Sequence, residues 1–280
     1  MDKNTEQKLK VYAAKMRKLI IDGVYQAQSG HPGGSLSCTD IFAYLYGEKL
    51  RVNPKDPKNP GRDRFVLSKG HCAPALYAAL ALRGFFPAEE MPTLRKYKSM
   101  LQGHPCMTET PGVDMSTGSL GQGIAAAVGM ALAGKLDKKD YRVYSILGDG
   151  ELQEGQVWEA LMAAAHYKLD NLNAFIDWNG LQIDGANDEV MSLGSIPDKV
   201  RAFGWHVIEI DGHDFAQIEA ACTEAETVKG KPTMIVAHTH KGRGVSFMED
   251  QASWHGAAPK TEQYEIAMAE LDAALAALEV

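Results

Sequence analysis

Residues 141–160 read YRVYSILGDGELQEGQVWEA. An apolar, β-branched and aromatic run over 141–147 breaks on Gly148-Asp149-Gly150, and a helical pattern follows at 155–168. Four further runs have the same character: 64–68 (RFVLS), 172–178 (LNAFIDW), 205–210 (WHVIEI) and 233–237 (TMIVA). Helical patterns at 73–83, 121–135, 197–203 and 214–228 lie between them. Strands alternating with crossover helices predict an α/β fold, a parallel sheet of about five strands with helices on both faces. Helical stretches at 5–28 and 36–50 precede the first strand, and an Ala-rich helix is expected at 262–278. No repeat or low-complexity linker interrupts the pattern, so 1–280 reads as a single domain.

The chain carries 29 Lys+Arg against 36 Asp+Glu, a formal net charge of −7. That balance argues against nucleic-acid or anionic-membrane binding, since both need a cationic face. Any anion must then be held by a metal or by specific groups. The four cysteines (Cys38, Cys72, Cys106 and Cys222) form no CxxC pair, which suits a reducing interior. The N-terminus lacks an apolar signal core, and no run reaches the ~20 apolar residues of a membrane span. A cytoplasmic protein is expected.

In open parallel sheets, ligands bind beyond the carboxyl ends of the strands. Asp149 stands at one such end and Asn179 at the next. An Asp carboxylate, an Asn carbonyl and a backbone carbonyl, taken at Leu181, form a hard all-oxygen half-shell. It suits Mg²⁺ or Ca²⁺, with phosphate oxygens and water completing the octahedron. A plain turn at the GDG string is the competing reading. Four of the nine histidines also sit in glycine-flanked loop strings: SGHPGG (His31), KGH (His71), QGHP (His104) and WHG (His255). His166, His206, His213, His238 and His240 read as surface or satisfied core residues. Gly121-x-Gly123-x-x-Ala126 matches the dinucleotide fingerprint, but no apolar strand precedes it, so an NAD-binding reading fails there.

GDG followed by Asn resembles the thiamine-diphosphate signature. GDGELQEGQVWEAL with the later DWNGLQIDG resembles transketolase in particular. The likeness covers essentially the whole chain and corresponds to the N-terminal, diphosphate-binding half of full-length transketolases. It implies a thiamine-diphosphate- and Mg²⁺-dependent transfer of a two-carbon glycolaldehyde unit from a ketose phosphate to an aldose phosphate. By resemblance, His71 and His255 help to hold the diphosphate beside Gly148, Asp149 and Gly150. His31 and His104 face the substrate and the reactive carbon, with His255 at the edge. Gly118 and Leu120 contact the aminopyrimidine, and Ile183 packs near the cofactor. Glu154 resembles a glutamate that links two cofactor sites across a dimer, although a helix-start carboxylate is an equal reading of it.

The resemblance further implies a glutamate from a pyrimidine-binding domain that activates the cofactor, together with basic residues that bind the sugar phosphate. Neither lies in this sequence. Either the chain is a truncated piece of a full-length enzyme or, the favoured expectation, it is the N-terminal subunit of a split transketolase, inactive without a separate C-terminal subunit, in an α2β2 assembly. The anion site is expected to combine the metal with neutral-to-cationic histidines. The alternatives are a deoxyxylulose-phosphate synthase-like or a 2-oxoacid dehydrogenase-like subunit, or a non-catalytic partner that keeps the cofactor fold. The full histidine set favours transketolase. Ser35-Leu36-Ser37 and Trp178 depart from the full-length pattern and leave substrate specificity open.

Overall fold

A computed structural model describes residues 1–279. Its helices are α1 (Lys3–Ala27), α2 (Pro32–Ser37), α3 (Thr39–Tyr44), α4 (Ala73–Arg83), α5 (Gln122–Leu136), α6 (Gly155–His166), α7 (Asn187–Met191), α8 (Ile196–Ala202), α9 (Phe215–Thr227) and α10 (Thr261–Leu278). The strands are β1 (Arg64–Leu67), β2 (Val143–Gly148), β3 (Leu172–Trp178), β4 (Leu181–Gln182), β5 (Gly185–Ala186), β6 (His206–Asp211) and β7 (Thr233–His238). Five strands form one sheet in the order β1-β2-β3-β7-β6, and every pairing in it is parallel. The expected fold class is therefore the observed one.

Side chains alternate between the faces of a strand, and here each face builds its own core. Tyr144, Ile146, Phe175 and Ile235 point into a cluster with Met16, Ile20, Phe42, Leu76 and Ile218, which lie on α1, α3, α4 and α9. Their neighbours Val143, Leu147, Ile176 and Val236 point the other way, onto Ile124, Val128, Leu161 and Val200 from α5, α6 and α8. The predicted strand at 172–178 is observed over the same residues. The helix predicted at 73–83 is also observed unchanged, and the remaining strand and helix ends move by at most two positions, with one larger exception.

That exception is the helix expected at 36–50. Helical backbone starts earlier, at Pro32, where a missing N–H costs nothing in the first turn. It is then broken at Cys38 and ends in a π-turn over Leu45–Lys49. Side chains compete for carbonyls at the break: Ser37 Oγ donates to Gly34 O at 3.0 Å, Cys38 Sγ to the same oxygen at 3.1 Å, and Thr39 Oγ1 to Ser35 O at 2.9 Å. Segment 180–195 contains the β4–β5 hairpin and α7, elements too short for a periodic signal. Segment 240–257 is anchored by Val245 and Met248, both fully buried. Among the described residues, no helix is long and apolar enough to cross a membrane.

Candidate active site

A cavity of about 330 Å³ opens at the carboxyl edge of the sheet, beyond β1, β2 and β3. Its lining includes His31, His71, Gly118, Leu120, Gly148, Asp149, Gly150, Glu154, Asn179, Leu181, Ile183 and His255, so the residues singled out from the sequence meet in one place. His104 is exposed at the rim. Its ring centroid lies 6.4 Å from that of His31, which in turn is 5.2 Å from His71 and 5.5 Å from His255.

Local chemistry explains each placement. His31 occupies the N-cap position of α2, just ahead of Pro32, with its side chain making no capping hydrogen bond. His71 sits in a 3-10 turn, Gly70–Cys72, directly after β1. Gly70 must be a glycine, because a Cβ there would stand 2.7 Å from the Gly118 nitrogen. The same close approach brings the 117–120 loop to the cavity. Among the described residues no strand leads directly into Gly121, so its glycine pattern is not a dinucleotide fingerprint. Glu151 ties that loop to the GDG turn: it accepts from Ser68 Oγ at 2.5 Å, the Gly121 N–H at 2.9 Å and the Gly148 N–H at 3.0 Å.

The three expected metal donors are neighbours but already have partners. Asp149 accepts from the Gly150 N–H at 2.8 Å and the Gly180 N–H at 2.6 Å. Asn179 Oδ1 accepts from the Leu181 N–H at 3.2 Å, and Leu181 O accepts from Lys241 Nζ at 2.8 Å. Among the described residues, no three His, Cys, Asp or Glu side chains converge as a metal cage. A metal here would depend on one carboxylate plus amide and backbone oxygens. Asp149 favours such a cation, because burial and then the Asp177 charge push its carboxyl above the usual range. The buried Oδ1 of Asn187 lacks a hydrogen-bond partner, and it lies 3.6 Å from where a Gly150 Cβ would stand, beside the same turn.

Comparison with known proteins assigns this chain to a lineage. Residues 8–273 match the family model for the transketolase thiamine diphosphate binding domain. The chain belongs to the transketolase family. It is 46% identical over 271 residues to one of the subunits of the apulose-4-phosphate transketolase of Phocaeicola vulgatus, covering 97% of this chain and 96% of that one. It is 49% identical over 257 residues to the 6-deoxy-6-sulfo-D-fructose transketolase subunit SqwG of a Clostridium species, covering 92% and 94%. The crystal structure of transketolase from Campylobacter jejuni superposes with a TM-score of 0.89 at 33% identity, covering 99% of this chain but 46% of that one. The chain thus spans about half the length of that solved transketolase.

In this transketolase domain, the source of positive charge differs from the expectation. Burial, and then the neighbouring His71 ring, lower His31 to about 4. Burial and then Lys241 lower His255 to about 3. His104 is also lowered, by burial and then by Arg95. These imidazoles are neutral at pH 7, and the cations of the cavity are Lys69 and Lys241, which sequence reading missed; burial lowers Lys241 below its ordinary range, and the nearby Asp149 charge opposes that shift. Desolvation opposes the charge on Lys69, but Asp177 outweighs it and holds the ammonium well above its ordinary range. Lys241 Nζ donates to His255 Nδ1 at 3.1 Å, so the proton of that neutral ring sits on Nε2. Asp177 was likewise missed, although it lies two residues before Asn179 at the end of β3. His213, read as structural, donates from Nδ1 to Asp40 at 2.7 Å and accepts the His240 N–H on Nε2 at 2.9 Å.

Proposed function

We propose that this chain is the diphosphate-binding subunit of a two-subunit transketolase, which passes a two-carbon glycolaldehyde unit from a ketose phosphate to an aldose phosphate. The observation that carries the reading is the convergence of neutral histidines, a desolvated aspartate and two buried ammonium groups on one cavity. Thiamine diphosphate, when bound, supplies the carbanion chemistry that no side chain here can provide. Asp149, Asn179 and the Leu181 carbonyl would hold Mg²⁺, and the same oxygens suit Ca²⁺. His71, Lys69 and Lys241 would face the diphosphate across Gly148 and Gly150. Gly118, Leu120 and Ile183 would line the aminopyrimidine side. Neutral imidazoles can both accept and donate, so His31 and His104, with His255 at the edge, would move protons at substrate hydroxyls. Glu154, exposed at the cavity wall, would reach toward a second copy.

Two similar proteins are named as transketolase subunits, which supports a separate partner chain. That C-terminal subunit would bring the activating glutamate and the residues that grip the sugar phosphate, in an α2β2 assembly. Residues 1–280 would act as one cofactor-binding domain. The names of those relatives, apulose-4-phosphate and 6-deoxy-6-sulfo-D-fructose transketolase, each specify a sugar carrying an anionic group. A ketose with such a group is the donor class proposed here. Four free thiols fit a cytoplasmic setting. Calorimetric titration of thiamine diphosphate with Mg²⁺ tests the reading. Weak binding to the chain alone and tight binding with the C-terminal subunit are expected, with ketol transfer only in the pair. Robust turnover by this polypeptide alone would refute the two-subunit proposal.

A further inference from the structure

Lys241 is enclosed, with 2% of its surface exposed, yet among the described residues it forms no ion pair, whereas Lys69 does. Its ammonium rests on two neutral acceptors, Leu181 O at 2.8 Å and His255 Nδ1 at 3.1 Å. The backbone around it is clamped, with the Gly242 N–H on Gly33 O at 2.9 Å and the Asp250 N–H on Lys241 O at 2.8 Å. Gly33 leaves the side chain its path, since a Cβ there would stand 3.0 Å from Lys241 Cγ and 2.8 Å from Trp254 O. The ammonium is therefore aimed at one carbonyl, and that carbonyl is the third oxygen of the metal half-shell. A divalent ion bound to Leu181 O at about 2.0–2.1 Å would sit beside this ammonium in a partly desolvated cavity, where like charges repel strongly.

We propose that Lys241 couples the two parts of cofactor binding. It holds the Leu181 carbonyl against a lone metal ion, and it yields that oxygen when a diphosphate draws the ammonium away. Metal and diphosphate then enter together, and neither binds well alone. The inference rests on the assignment of the metal to Asp149, Asn179 and Leu181.

The test measures each ligand separately on the full chain, with Mn²⁺ followed by electron paramagnetic resonance and inorganic pyrophosphate by calorimetry in metal-free buffer. Lys241→Met removes the charge and keeps the length of the side chain. Mn²⁺ affinity is expected to rise roughly tenfold and pyrophosphate affinity to fall roughly tenfold, within the usual range of coupling between sites. Lys241→Arg keeps the charge and is expected to hold Mn²⁺ no more tightly than wild type. If Lys241→Met fails to fold, Lys241→Gln replaces it and is read in the same way. Weaker pyrophosphate binding with unchanged or weaker Mn²⁺ binding makes Lys241 an ordinary anion ligand and overturns the proposal. Asp149→Ala separates the two levels of inference: wild-type Mn²⁺ affinity in that variant removes the metal assignment itself.

Discussion

Two adjacent strand ends carry buried aspartates that meet opposite fates. Asp177, closing β3, is saturated. Its Oδ2 accepts from Lys69 Nζ, from Ser37 Oγ at 2.5 Å and from Asn179 Nδ2 at 3.2 Å, and its Oδ1 accepts from Thr239 Oγ1 at 2.5 Å. Asp149, following β2, is tied chiefly by two backbone N–H groups, at Gly150 and Gly180, and has no ion pair among the described residues. Burial costs both carboxylates their hydration, but only Asp177 is compensated by a cation. A buried charge with its counter-ion in place belongs to the framework. One that lacks it is poised for a ligand.

The contrast breaks first at Lys69. Lys69→Met leaves the Asp177 charge unpaired, and losing one partner of a buried pair costs about 3–5 kcal/mol. The melting temperature is expected to fall by roughly 10 °C for a domain of this size. Wild-type stability in urea and thermal unfolding would show that the pair is not structural. Asp149→Asn is expected to act the other way. It removes a desolvated charge, so thermal stability should stay level or rise, while Mg²⁺-dependent binding of thiamine diphosphate falls by more than about 100-fold, beyond the usual effect of an outer-shell change. A loss of stability without loss of binding would reverse the two assignments.

The smallest expected effect is on pH dependence. His31 and His255 stand at about 4 and about 3 in the folded chain, below the ordinary histidine value of 6.5. Below pH 6.5 the unfolded chain takes up these protons first, so stability present at neutral pH is lost progressively from 6.5 down to about 4 for His31 and about 3 for His255. Both groups are partly solvated, which limits the loss to a few degrees of melting temperature between pH 7 and pH 5. A His31→Gln/His255→Gln variant is expected to melt with a flatter pH profile. Identical slopes for variant and wild type would mean that the cavity histidines are as accessible to protons folded as unfolded.

The parallel sheet was legible because its strands are short, apolar and separated by amphipathic stretches, a signal carried entirely by local pattern. The helix expected at 36–50 was misjudged because Ser37, Cys38 and Thr39 turn their side chains back onto carbonyls, a choice that hydropathy does not record. The site divides in the same way. Asp149, Asn179 and the four loop histidines stand out by their glycine neighbours. Lys69 precedes one of those strings and Lys241 lies in a Lys-Gly-Arg-Gly loop, yet neither was singled out. A lysine is ordinarily solvated, and nothing local says that these two are enclosed.

By itself the sequence determined the α/β class, the strand ends that carry chemistry, and membership of the transketolase family, because each of these is written in contiguous residues. Only the tertiary structure decided how charge is distributed among those residues. Burial keeps His31, His104 and His255 neutral, a distant Lys69 neutralises Asp177, and Asp149 is left beside a lysine that grips a carbonyl instead. Desolvation and pairing act through space, so they belong to the fold rather than to any segment of the chain.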